Sequence, residues 1–177
     1  MKLLLDAGHG GRDPGAGTGL FNESEFTLAI VLELERLALE RHPEWTVALT
    51  RKSDIYLSPD ARRRMCMNLR PDLFISVHCN GAESGQAHGC EVVYREDDDK
   101  KLAEAIQKNL ISDLSVRDRG IIHDLNDLKR RLAVLSTPGI PSVIVEPGFI
   151  TNDKDREMLQ RSTDVADGIL KGIEEWS

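Results

Sequence analysis

The chain opens with neither a cationic segment nor the apolar stretch of a secretory leader, since Met1–Asp6 is too short for one. No apolar run approaches the roughly 20 residues that span a bilayer, so membrane insertion is not expected. Cysteine is scarce. Cys66, Cys79 and Cys90 are odd in number and lack framework spacing, which points to reduced thiols rather than disulfides. Aromatic residues make up only 5%. The glycine-rich stretch Ala7–Phe21 is no dinucleotide cradle, because the G-x-G-x-x-G spacing fails at Asp13, and no Gly-Lys-Ser/Thr follows to make a phosphate loop. Glu96-Asp97-Asp98-Asp99 lacks the spaced pattern of a calcium loop and reads as a solvated helix entry. No G-x-S-x-G elbow is present, which argues against a serine hydrolase. A net charge of -7 argues against a generic nucleic-acid binder, though a local patch can oppose the overall sign. There is no internal repeat, linker or low-complexity segment. With 40% hydrophobic and 30% charged content, the 177 residues read as one globular domain spanning 1–177.

What is present is a recurring strand end. Leu3-Leu4-Leu5 reads as a buried strand running into Asp6-Ala7-Gly8-His9-Gly10-Gly11-Arg12, a sharp corner that carries an imidazole. Asp72–Val77 is a second apolar strand, ending at His78 and followed by Cys79-Asn80-Gly81. Ser142–Val145 is a third, ending at Glu146 and followed by Pro147-Gly148. If the three are parallel neighbours, two imidazoles and a carboxylate converge at the carboxyl edge of one sheet, where α/β folds bind ligands. His9 alone reads as an ordinary loop histidine about as readily as a metal ligand and a general base taken together.

The other elements alternate. A helix is predicted over Glu23–Arg41, with Asn22 and Glu25 as a capping box and Glu33, Arg36 and Glu40 on the solvent side. Glu23, in its first turn, either complements the helix dipole or is a metal ligand brought beside His9. Trp45–Thr50 reads as a strand. Ser58-Pro59 starts a helix reaching Asn68. Its Arg62, Arg63 and Arg64 span most of a turn and read as a solvated run, from which one could bind a carboxylate or a phosphate of a substrate. Cys79 reads as core filler or, less readily, a site residue. Asn80–His88 is a polar loop containing His88. Cys90–Tyr94 is a strand, 99–115 a helix, Arg117–Ile122 an extended piece, Asn126–Arg131 an ambiguous polar stretch, and Leu132–Leu135 a strand. Helices close the chain over Asn152–Arg161 and Thr163–Trp176. Strands alternating with helices imply an α/β sheet covered on both faces.

Asp6-Ala7-Gly8-His9-Gly10-Gly11, Glu23, Ser76-Val77-His78-Cys79-Asn80 and Val145-Glu146-Pro147-Gly148-Phe149-Ile150-Thr151-Asn152 together resemble the zinc-dependent N-acetylmuramoyl-L-alanine amidases of the type-3 family. The likeness extends to Thr50-Arg51 with Asp54, to Gly89 with Glu91 and Tyr94, and to Arg119-Gly120, in order over essentially the whole chain. Cys79 and Pro147 depart from the small apolar and apolar residues expected there. The resemblance implies a twisted, mostly parallel six-stranded sheet, one Zn²⁺ held by His9, Glu23 and His78, and Glu146 as catalytic carboxylate. It implies hydrolysis of the amide between N-acetylmuramic acid and L-alanine of the peptidoglycan stem peptide. Such chemistry is coherent: two His and one Glu leave zinc an open position, and a carboxylate can carry a proton from water to the leaving amine. The sequence shows no wall-binding repeat and no long helical insertion, so a bare catalytic domain is expected. An enzyme made in the cytoplasm without a signal and acting on the wall after release fits a phage or prophage endolysin, and a processed secreted form is the other possibility. A zinc hydrolase of another wall amide and a non-catalytic peptidoglycan-binding domain are the alternatives.

Overall fold

The computed structural model describes residues 1–177. Its elements run β1 (Lys2–Ala7), α1 (Glu23–Arg41), β2 (Thr46–Leu49), α2 (Pro59–Leu69), β3 (Leu73–Val77), β4 (Cys90–Tyr94), α3 (Asp97–Leu114), β5 (Asp118–His123), β6 (Ser142–Glu146), α4 (Asp153–Leu159) and α5 (Ser162–Trp176). The six strands form one sheet in the order β2-β1-β3-β6-β4-β5. The first four run parallel, whereas β4 is antiparallel to β6 and parallel to β5. The strands ending near His9, at His78 and at Glu146 are therefore β1, β3 and β6, three parallel neighbours in the middle of the sheet.

The period-two alternation of the strands divides the core unequally. Leu3, Leu5, Ala7, Leu73, Ile75, Val77, Val143 and Val145 face one side, where α1, α3 and α5 complete a cluster of 30 buried apolar residues. Gly168 and Gly172 let α5 approach α3 closely: a Cβ at Gly172 would stand 2.5 Å from the Ile106 backbone. Leu4, Phe74, Val93 and Ile144 face the other side, covered near Cys66 of α2 and by Val134 and Leu135, a cluster of only seven. This second face also carries Asp6, Ser76, His78 and Glu146 by the same alternation. The thin cover leaves a cleft at its carboxyl edge. No helix is long and apolar enough to cross a membrane.

Four local expectations are corrected. Leu132–Leu135 is not a strand: Ala133–Leu135 is a 3-10 turn with Val134 and Leu135 buried beneath it. Both edges of the sheet are already taken by β2 and β5, so this short apolar run fills a face instead. Asn22 makes no side-chain cap. Its Nδ2 instead donates to Glu25 Oε1 at 3.2 Å, while Glu23 Oε2 accepts from the Ala16 N–H. At α3 the acidic run does more than meet solvent. Glu96 and Asp99 form a reciprocal capping box, and Asp99 is buried with Oδ1 accepting from the Ser142 N–H at 3.0 Å. The fourth correction concerns the arginines of α2. Arg63 and Arg64 lie outside and pair with Asp60, but Arg62 is buried against Asp6.

Candidate functional site

The His9 corner is held in a conformation that few side chains adopt. His9 has φ 58°, in the left-handed region, which costs a non-glycine residue about 1–3 kcal/mol. Its surroundings impose the shape. Arg62 donates from Nη2 to the His9 carbonyl and from Nη1 to the Ala7 carbonyl. Arg51 donates to the carbonyls of Ala7, Gly8 and Ser24 at 2.8–2.9 Å. Asp6, wholly buried, balances this charge and accepts from Arg62, from the Thr50 hydroxyl and from the Ser76 hydroxyl at 2.7 Å. The charges of β1 and α2 thus act as struts behind the corner.

Glu23 enters from the first turn of α1. The carboxylate sits between two rings: Oε1 lies 3.2 Å from His9 Nε2 and 3.0 Å from His78 Nδ1. Two backbone N–H groups fix it, Ala16 donating to Oε2 at 2.8 Å and Cys79 to Oε1 at 2.9 Å. The rings meet edge-on with centroids 4.9 Å apart. Two glycines make room for this packing. A Cβ on Gly8 would lie 2.5 Å from His78 Cε1, and one on Gly15 would lie 2.5 Å from Glu23 Oε2.

Electrostatics follow from this crowding. Burial alone would raise the Glu23 carboxyl, but hydrogen bonds and charge from His78 and His9 outweigh it and hold Glu23 well below the usual carboxylate range. Burial works against a charged His9, yet Glu23 and then Asp13 overcome it and raise its pKa. Asp13 Oδ2 stands 2.9 Å from His9 Nδ1, on the ring edge away from Glu23. One ligand-capable atom from each of His9, Glu23 and His78 can be chosen so that all lie within 4.8 Å of one another. Two imidazoles and one ionised carboxylate suit a divalent metal, and three protein donors are the number that leaves a position open on zinc.

Glu146 ends β6 in the same cleft. Burial pushes its carboxyl up to about 7. The cationic form of His78 opposes the shift, while the negative charges of Glu91 and Glu23 add to it. Glu91 pairs with Glu146 across the β4–β6 ladder and is itself held by Asn80 Nδ2 at 2.9 Å and Arg119 Nε at 2.5 Å. A carboxyl that titrates near neutrality is suited to moving protons. The cleft, about 770 Å³, is lined by all four of these residues and also by Leu57, Pro59, Arg62, Glu83 and the segment Arg130–Val134.

The sequence N-acetylmuramoyl-L-alanine amidase pattern matches residues 3–175. The chain belongs to the N-acetylmuramoyl-L-alanine amidase family. Among its relatives is the probable cell wall amidase LytH of Staphylococcus saprophyticus, 32% identical over 89% of this chain and half of that protein. An uncharacterized protein of Bacillus subtilis, YqiI, is 35% identical over 98% of this chain and 84% of its own length. The catalytic domain of CwlV, an N-acetylmuramoyl-L-alanine amidase from Bacillus (Paenibacillus) polymyxa var. colistinus, superimposes with a TM-score of 0.89 at 31% identity, covering 99% of this chain and 97% of that one. The amidase-like α/β fold with its six-stranded, mostly parallel sheet is therefore the one expected. This amidase-family chain spans about half the length of the LytH relatives.

The four residues singled out from the sequence of this amidase-family chain, His9, Glu23, His78 and Glu146, share one cleft. Cys79 does not contribute its thiol. Burial, then the charges of Glu23 and Glu146, push that thiol well above its ordinary pKa, and the side chain packs in the larger core. Cys66 is likewise pushed up, to about 12. His88 lies outside the cleft, its Nδ1 2.9 Å from the Gln86 carbonyl. Sequence reasoning missed the Asp6–Arg62 strut. An aspartate inside an apolar strand was its one available signal, since a buried carboxylate needs a partner.

Proposed function

We propose that this chain hydrolyses the amide joining the lactyl group of N-acetylmuramic acid to L-alanine in peptidoglycan, with Zn²⁺ held by His9, Glu23 and His78. The observation that carries the reading is the donor triad and Glu146 in one cleft of a chain from this family. Zinc, when bound, supplies Lewis acidity toward water and the scissile carbonyl.

The chain's own residues supply the rest. Glu23, pinned by the Ala16 and Cys79 N–H groups between the two rings, would present its carboxylate to the metal alongside them. Glu146 accepts a proton from the attacking water and delivers it to the leaving amine, which departs poorly without one. In the metal-free protein burial already raises its carboxyl, which suits a group that must hold a proton as well as take one. Leu57, Pro59, Leu132 and Val134 give the cleft an apolar wall beside these groups.

The variants Glu146→Ala and His78→Ala separate the roles. Glu146→Ala is expected to retain zinc and lose at least about 100-fold in activity; His78→Ala is expected to lose zinc. Metal content by mass spectrometry alongside turnover reads both. Retained turnover in the first variant removes Glu146 from the mechanism, and full zinc occupancy in the second removes His78 from the ligand set.

The setting we assign is wall lysis by a phage or prophage endolysin. What supports it is a cleft walled by strand ends, loops and α2 that stands open to a large insoluble substrate. Expression inside a bacterial host with and without a membrane pore tests this. Lysis that requires the pore supports it; growth undisturbed in both cases overturns it.

A further inference from the structure

Three arginines line the cleft: Arg62, Arg130 and Arg131. Arg62 is committed, its guanidinium consumed by Asp6 and by the Ala7 and His9 carbonyls. Arg130 and Arg131 are exposed and form no ion pair; the one side-chain contact between them is Arg131 Nε to Ser136 Oγ at 3.4 Å. They stand at the rim of a cleft whose other charged groups are mainly carboxylates, in a chain of net charge -7.

Their placement is braced from below. Asp124, wholly buried, pairs with Arg95 and accepts from the Leu132 N–H at 3.1 Å. The Asp124 carbonyl accepts from the Arg130 N–H at 3.1 Å. Arg95 also donates to the Leu132 carbonyl at 2.8 Å and to Ser136 Oγ at 2.6 Å. A buried ion pair therefore ties down both ends of the segment that presents the two guanidinium groups. Fixing a polar loop so firmly has a use if the loop must hold two like charges beside one another for an anion.

The amidase reading, on which this inference rests, says where such an anion comes from. In the muramoyl group the lactyl carboxyl is consumed in the scissile amide, so the glycan side of the bond is uncharged. The peptide side keeps free carboxylates. Guanidinium groups grip carboxylates through paired N–H donors. We infer that Arg130 and Arg131 form a carboxylate subsite for the peptide side of the substrate, and so set its direction: peptide toward the 124–136 segment, glycan away from it.

The test uses soluble glycan–peptide fragments with their peptide carboxylates either free or converted to carboxamides. Initial rates are measured for the zinc-loaded wild type, Arg130→Gln, Arg131→Gln, the double variant, and Arg64→Gln as an exposed arginine outside the cleft. The wild type is expected to prefer the free carboxylate at least about tenfold in kcat/KM, the scale of one charge-assisted hydrogen bond. The double variant is expected to lose that preference through a rise in KM, and Arg64→Gln to keep it. A wild type indifferent to amidation, or a double variant that keeps the preference, overturns the subsite while leaving the amidase reading intact. A wild type that cleaves neither fragment, while loaded with zinc, overturns both.

Discussion

Gly8→Ala perturbs the triad without touching any donor. Gly8 does not occupy the left-handed region, so its backbone accepts a methyl group. Its N–H donates to the Val77 carbonyl at 2.9 Å, and its carbonyl accepts from Thr27 and Arg51, contacts that a methyl group leaves in place. The new Cβ, however, would stand 2.5 Å from His78 Cε1 and 2.7 Å from both ring nitrogens. Non-bonded carbons settle at about 3.5–4.0 Å, so the ring must retreat by about 1 Å. Because the ring is partly exposed, it can move into the cleft rather than strain the core. A binding constellation tolerates about 0.5 Å of misplacement. Disturbing the partners that orient a metal ligand typically costs about 10–100-fold in metal affinity. Gly8→Ala is therefore expected to weaken zinc binding by about 10–100-fold, or about 1.4–2.8 kcal/mol. Its metal-free melting curve should stay close to wild type. Competition against a chromophoric chelator measures the first quantity, and circular dichroism melts in excess chelator the second. Wild-type zinc affinity in a folded Gly8→Ala protein would refute the claim that His78 is a ligand held in place by the absence of a side chain at position 8.

Other perturbations follow from the same geometry. In metal-free protein Glu146 has its carboxyl raised from 4.5 to about 7. The folded state then holds more protons than the unfolded one between those values, and stability falls as pH rises through that window. Glu146→Gln removes this penalty, so it should melt above wild type at pH 8 in chelator, with the gap closing toward pH 5; a gap that widens on acidification contradicts the assignment. Asp6→Asn leaves Arg62 buried without its counter-charge and is expected to cost about 3–5 kcal/mol in denaturant unfolding. Arg63→Ala and Arg64→Ala, whose ion pairs with Asp60 are exposed, should stay within about 0.5 kcal/mol of wild type. Equal losses for all three variants would mean that the strut behind His9 carries no weight.

How much of this was legible in the sequence depended on how far apart the interacting residues lie. The strands ending at His78 and Glu146 announce themselves locally, as apolar runs broken by glycine or proline, and their adjacency follows from ordinary parallel topology. Glu23 is different. Its first-turn position suits a helix dipole as well as a ligand, and only the resemblance to a family favoured the second reading. The loop between His9 and α1 turns back so that the Ala16 N–H meets Glu23, a closure no periodicity encodes. Arg62 was illegible beside Arg63 and Arg64, because what buries it is Asp6, 56 residues earlier. Leu132–Leu135 shows the converse failure. Four residues suffice to suggest a strand, but the turn they adopt is set by Arg95 and Asp124 beneath them. The polar stretch ahead of it offered no pattern, yet it carries the two uncommitted arginines of the cleft.

The central claim is tested most directly by mass spectrometry of the products released from purified peptidoglycan, with and without a zinc chelator. The account predicts stem peptides with a free L-alanine amino terminus and intact glycan strands, formed only when chelator is absent and restored by added Zn²⁺. Fragments cut at any other bond, or release that persists in chelator, would contradict it.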